Sequence, residues 1–88
     1  MDGKILKQLR KEREITQQQL ADYIGVGGST IRMMESGKRN GSIEVIHAIS
    51  KFFDVSIDYL EGKTPFRNAS EVTNEIVQQL KKYNIIKD

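Results

Sequence analysis

Between Lys4 and Arg13 the apolar residues Ile5, Leu6 and Leu9 recur at helical spacing, separated by Lys7, Gln8, Lys11 and Glu12. That period predicts an amphipathic first helix. Thr16 stands three residues before Gln19, the interval of a capping box, and Leu20, Ala21 and Ile24 carry the apolar stripe of a second helix. Gly25 follows at once, and a glycine there can take the left-handed conformation that ends a helix, so this second helix is about two turns long. A third helix is predicted over 30–36, with Ile31 and Met34 inward and Ser29, Arg32 and Met33 pointing elsewhere. Met33 and Met34 are adjacent, so only one can face the core, and Met34 lies one turn after Ile31.

After the stop at Gly37, the polar loop Lys38-Arg39-Asn40-Gly41 leads to Ser42, a cap for a fourth helix. Ile43, Ile46, Ile49 and Phe53 repeat along that helix at three or four and are expected to form the main wall of the core. Ser56 caps a short fifth helix that Gly62 ends. The pattern thus predicts an all-α chain: a five-helix unit over 1–62, a linker over 63–67 marked by Gly62 and Pro65, and a sixth helix within 68–88. Asn68 or Ser70 caps this last helix, which carries Val72, Ile76, Val77, Leu80 and Tyr83 on one side and Glu75, Gln78, Lys81 and Lys82 on the other. Its apolar face needs a cover, either the five-helix unit or a second copy of the chain.

Composition narrows the chemistry. A chain of 88 residues is one domain with a small appendage, and a core of this size leaves stability marginal, a condition that dimerisation often relieves. There is no cysteine, which removes disulfides and thiolate metal sites, and the cytoplasm is the compartment expected. His47 is the single histidine, off the apolar stripe of helix four, and has neither metal-ligand spacing nor a nucleophile beside it. No cofactor, metal or catalytic residue is expected. No apolar run exceeds two residues, so neither a membrane span nor a signal segment is predicted.

The net charge of +2 identifies no partner by itself. Residues 1–62 are balanced, with nine basic and nine acidic groups, yet 26–42 hold Arg32, Lys38 and Arg39 against Glu35 alone. Two helices joined by a turn of about four residues, the second flanked by basic and hydroxyl side chains, form the layout of a helix-turn-helix DNA reader.

The residues along 3–61 go further. The strings Leu9-Arg10-Lys11-Glu12-Arg13, Ile15-Thr16-Gln17, Leu20-Ala21, Gly25-Val26, Ser29-Thr30-Ile31, Glu35-Ser36-Gly37-Lys38-Arg39 and Val55-Ser56-Ile57-Asp58-Tyr59-Leu60 resemble, in order, the Cro and lambda-repressor-like (XRE) family. The resemblance implies a five-helix DNA-binding domain whose third helix enters the major groove. It makes Gly28, Ser29, Arg32 and Met33 the base-facing positions. Arg32 is the strongest reader, because a guanidinium donates twice to guanine, while Met33 suits a thymine methyl. By the same resemblance Gln17 meets a phosphate at the start of helix two, and Thr30, Ser36, Lys38, Arg39 and Asn40 contact the DNA backbone. Arg10 and Glu35 match an ion pair that ties helix one to helix three.

Four positions depart from the family pattern. Gly27-Gly28 stand where a hydroxyl cap and a long polar reader are usual, Glu14 where glycine is common, and Gly41 where proline is common. Together these features imply a sequence-specific transcription regulator, in its simplest form a repressor, acting on double-stranded DNA as a homodimer. Val72, Ile76, Leu80 and Tyr83, with Tyr59, Leu60 and Phe66, are the candidate dimer contacts. The competing class is an antitoxin or antirepressor-type module in which the C-terminal helix binds a toxin or other protein antagonist and DNA binding is secondary. An enzyme is not expected.

Overall fold

The structure, a computed structural model, describes residues 1–85. It is all-α, with six helices in the order α1 (Gly3–Glu12), α2 (Gln17–Ile24), α3 (Gly28–Glu35), α4 (Ile43–Phe53), α5 (Ile57–Leu60) and α6 (Ala69–Lys82). The caps follow the side chains. Thr16 closes a full capping box with Gln19, and Asp2, Ser42, Ser56 and Asn68 accept from the backbone N–H of Lys4, Val45, Tyr59 and Glu71. Each such cap contributes about 1 kcal/mol. Asn68 rather than Ser70 therefore begins α6.

Helix α3 differs from expectation at its start. It begins at Gly28, two residues early, with Gly27 as an N-cap that offers no side-chain acceptor. The Thr30 N–H reaches the Gly27 carbonyl at 3.0 Å and closes the first turn. Its end is firmer: Gly37 is left-handed (φ +81°), its N–H donates to the Met34 carbonyl, and that of Lys38 donates to the Met33 carbonyl at 2.9 Å. This is the paired bonding that satisfies orphan carbonyls at a helix C-terminus.

The core is built by Leu6 and Leu9 of α1, Leu20 and Ala21 of α2, Ile31 and Met34 of α3, Ile49 and Phe53 of α4, and Val55 and Leu60. Fully burying one such large aliphatic side chain is worth about 1.5–3 kcal/mol. Ile43 was expected in the same wall but is 76% exposed, because it sits at the first position of α4, beyond the edge of the core. Leu60 was expected as a dimer contact and is instead wholly buried, which takes it off the surface altogether. Gly3 is buried against the end of α3, where a Cβ would collide with the carbonyls of Met34 and Glu35. The missing side chain lets α1 touch the backbone of α3 and fix its tilt. The chain start is held by a hydrogen bond from the Asp2 N–H to the Leu60 carbonyl (2.8 Å) and by the Met1 ammonium beside Glu61 (3.2 Å).

Helix α6 has a different character. None of its residues is buried, and Val72, Ile76 and Tyr83 are exposed. The described residues extend 51 × 23 × 19 Å with a radius of gyration of 15.8 Å. A compact chain of this length has a radius of about 12 Å. The elongation is α6 standing away from the five-helix head. The segment expected as a linker ends at a tie to that head, where the Ser56 N–H donates to the Arg67 carbonyl at 2.7 Å.

Candidate nucleic-acid interface

On α3 the buried pair Ile31 and Met34 turns the opposite face outward, and Ser29, Arg32 and Met33 are exposed there together. Their spacing of three and four places them on one strip of the helix. Gly28, the fourth position expected to read bases, has no side chain, and the space a Cβ would fill is held by the carboxamide of Gln18 on α2. Gln18 also donates to Asp22 at 2.9 Å. The polar group nearest this reading position thus comes from α2, and Gln18 carries no family signal that would have singled it out.

Behind the strip lies a brace joining three helices. Arg10 Nε donates to Glu35 Oε2 at 2.6 Å, Arg10 Nη2 to Glu35 Oε1 at 2.9 Å, and Arg10 Nη1 to the Ile15 carbonyl at 2.9 Å. Only 11% of the Arg10 side chain and 4% of the Glu35 side chain are exposed. Gln17 Nε2 adds a third donor to Glu35 Oε1 at 3.1 Å. Burial pushes the Glu35 carboxyl up, but hydrogen bonds from Arg10 and Gln17 and the charges of Arg10 and Lys7 outweigh it and hold the group below its ordinary value. Arg10 is shifted up, first by its hydrogen bonds to Glu35 and against its own desolvation. Gln17 was expected to give its amide to a phosphate. One amide hydrogen is already engaged by Glu35, which leaves the other, beside the backbone N–H groups of the first turn of α2 that have no intrahelical partner.

Lys7 is a residue that sequence reasoning passed over. It falls four residues after Gly3 and three before Arg10, on the side of α1 that faces the end of α3, and its charge acts on Glu35. The spacing of 3, 7 and 10 was visible in the sequence, but the contact at Gly3 that orients it was not.

Thr30, Arg39 and Asn40 line one open cleft of about 460 Å³ with Val26, Gly41, Ser42 and Val45, between the start of α3 and the start of α4. Lys38 and Arg39 are exposed beside it. Ser36 does not join them as a donor: its hydroxyl donates to the Met33 carbonyl at 3.0 Å, so its one proton is used within α3. His47 is exposed on α4, beside Glu44 and Lys51, and no cluster of potential metal ligands occurs among the described residues. No described helix is long and apolar enough to cross a membrane.

The helix-turn-helix family model matches residues 6–60, the span that contains this brace, strip and loop. The chain belongs to the helix-turn-helix family. Among helix-turn-helix proteins it is 40% identical over 82 residues to the transcriptional activator BcrR of Enterococcus faecalis, covering 92% of this chain and 39% of that protein. It is 35% identical over 52 residues to the phage transcriptional repressor RstR of Vibrio cholerae, covering 59% of this chain and 47% of that one. The chain therefore spans half or less of the length of these relatives. The 82 residues matched to BcrR exceed the five-helix head, so that likeness continues into α6.

Two solved helix-turn-helix structures are similar. The P22 c2 repressor in complex with a synthetic operator superposes with a TM-score of 0.64 at 31% identity, over 66% of this chain and 88% of that one. The N-terminal DNA-binding domain of SinR from Bacillus subtilis gives 0.60 at 32% identity, over 66% and 86%.

Proposed function

We propose that this protein is a sequence-specific DNA-binding transcription regulator that reads one operator half-site with α3 and binds a two-fold symmetric operator as a homodimer. The observation that carries the reading is the outward strip of Ser29, Arg32 and Met33, held on a helix braced from behind by Arg10, Glu35 and Gln17. Residues 1–62 form the reading head. Thr30, Lys38, Arg39 and Asn40 meet phosphates on one side of the groove, and the start of α2 at Gln17 meets them on the other. The likeness to a repressor solved with its operator supports this polarity.

Repression by occluding polymerase is the simplest outcome of such binding, and it needs no chemistry from the protein. The exposed stripe of α6 supports homodimerisation, since one head covers one half-site and two heads must sit about 34 Å apart. The same stripe also suits the competing reading of a protein antagonist or toxin partner, which a monomer in solution that still binds another protein would favour.

Arg32→Ala is the test. Against a duplex from upstream of its own gene, anisotropy titrations are expected to lose about 1–3 kcal/mol and to show relaxed base preference, while binding to a scrambled duplex is unchanged. Lys38→Ala is expected to weaken both duplexes alike and to reduce the salt slope by about one. An Arg32→Ala protein that still discriminates the two duplexes as wild type does removes α3 from the groove.

A further inference from the structure

Helix α6 has no fully buried residue, yet its root is fastened at more points than a tether requires. The Arg67 guanidinium donates twice to Glu12 at the end of α1, at 2.7 and 2.8 Å, across 55 positions of sequence. It also lies over the Tyr59 ring at 5.6 Å. The backbone of the same residue makes two further bonds: its carbonyl accepts from the Ser56 N–H at 2.7 Å, and its N–H donates to the Glu71 carboxylate in the first turn of α6 at 2.6 Å. Asn68 then caps α6 with its Oδ1 while its Nδ2 donates to the Asp54 carbonyl at 3.0 Å. One residue thus joins α1, α5 and α6, and the next joins α6 to the end of α4.

We propose that this Arg67–Glu12 clasp sets the direction in which α6 leaves the reading head, and through it the half-site spacing that the dimer accepts. The inference rests on the homodimer reading above. Its physical basis is leverage. Fourteen residues of helix reach about 21 Å from the root, so a swing of about 10° displaces the far end by roughly 4 Å, about one base-pair rise. A flexible connection would supply the effective concentration needed to hold two heads together, but it would accept several spacings equally. The pair is half-exposed, with 32% of the Arg67 and 39% of the Glu12 side chain accessible, so it acts as a positioning device more than as a source of fold stability.

The experiment uses the full chain as wild type, Arg67→Ala, Glu12→Gln and the double swap of Glu12→Arg with Arg67→Glu. An operator selected by the wild-type protein is rebuilt as a series of duplexes whose half-site spacing is shortened or lengthened by about one and two base pairs around the one-turn optimum. Wild type is expected to lose about tenfold in affinity per step, whereas Arg67→Ala and Glu12→Gln vary less than about threefold over the whole series. Both variants keep the wild-type sedimentation mass, circular dichroism and affinity for a single half-site, and the double swap regains the sharp optimum. A dimeric Arg67→Ala protein with the wild-type spacing profile overturns the clasp while leaving the homodimer intact. A wild type that sediments as a monomer removes the homodimer reading and the clasp's role with it. Should Arg67→Ala fail to fold, Glu12→Gln, altered only at an exposed side chain, decides the matter alone.

Discussion

At the level of single residues, the backbone at Glu14 shows what a side chain can conceal. Glu14 is left-handed (φ 56°) and closes α1: its N–H donates to the Lys11 carbonyl at 3.0 Å, and that of Ile15 donates to the Arg10 carbonyl at 3.3 Å. A side chain in this conformation costs about 1–2 kcal/mol, part of which glycine would give back as lost freedom in the unfolded chain. Glu14→Gly is therefore expected to stabilise the protein by about 0.5–1 kcal/mol, read as a Tm raised by a few degrees with DNA affinity unchanged. A lowered Tm would mean that the Glu14 side chain makes a compensating contact. Gly41 is the mirror case. With φ +82° it cannot be replaced by proline unless the loop before α4 changes shape. The left-handed turn at Gly41 suits the residue found there, whereas at Glu14 the sequence held only an indirect sign, a glutamate at a position where glycine is common in the family.

Among the elements, those with strong local signals were legible and those set by long-range contact were not. The capping box at Thr16, the serine caps of α4 and α5 and the 31/34 inward pair stand in the structure as the spacing implies. The start of α3 was misplaced because Gly27-Gly28 offers no side-chain cap, and the Gln18 carboxamide occupies the space a side chain at Gly28 would take. What aims α3 is the brace, and its chemistry makes it sensitive to acid. The Glu35 carboxyl is held below its ordinary value, so the stability it contributes is present above about pH 4.5 and is lost as the pH falls through its lower folded-state value. Glu35→Gln keeps the shape but removes the charge. The Tm gap between wild type and Glu35→Gln is expected to be largest near neutral pH and to close as the pH falls below about 4.5. A gap of constant size from pH 7 to pH 3 would show that the brace works by packing alone.

The whole molecule combines a head whose fold was readable from periodicity with a tail whose attachment was not. Nothing local links Glu12 to Arg67, and the loop signal at Gly62 and Pro65 marked a linker without showing that Arg67 at its end is fastened to the head. The stripe on α6 was legible, and its consequence can be measured. Val72, Ile76, Leu80 and Tyr83 follow one another at intervals of four, four and three, with Val72, Ile76 and Tyr83 exposed and Leu80 half-buried. Ile76 lies at its middle and is 55% exposed, so a glutamate there keeps its carboxylate in water in the single chain. In a two-fold dimer it would meet its own symmetry mate, placing two carboxylates in the centre of an apolar contact. Ile76→Glu is therefore expected to leave circular dichroism and half-site affinity as in wild type, to halve the mass seen by sedimentation, and to weaken binding to the two-site operator by about 10²-fold or more through lost avidity. If the variant instead unfolds at lower temperature with an unchanged mass, the stripe covers its own head in solution and α6 is not the dimer contact. If mass and operator affinity both stay at wild-type values, the two copies meet elsewhere.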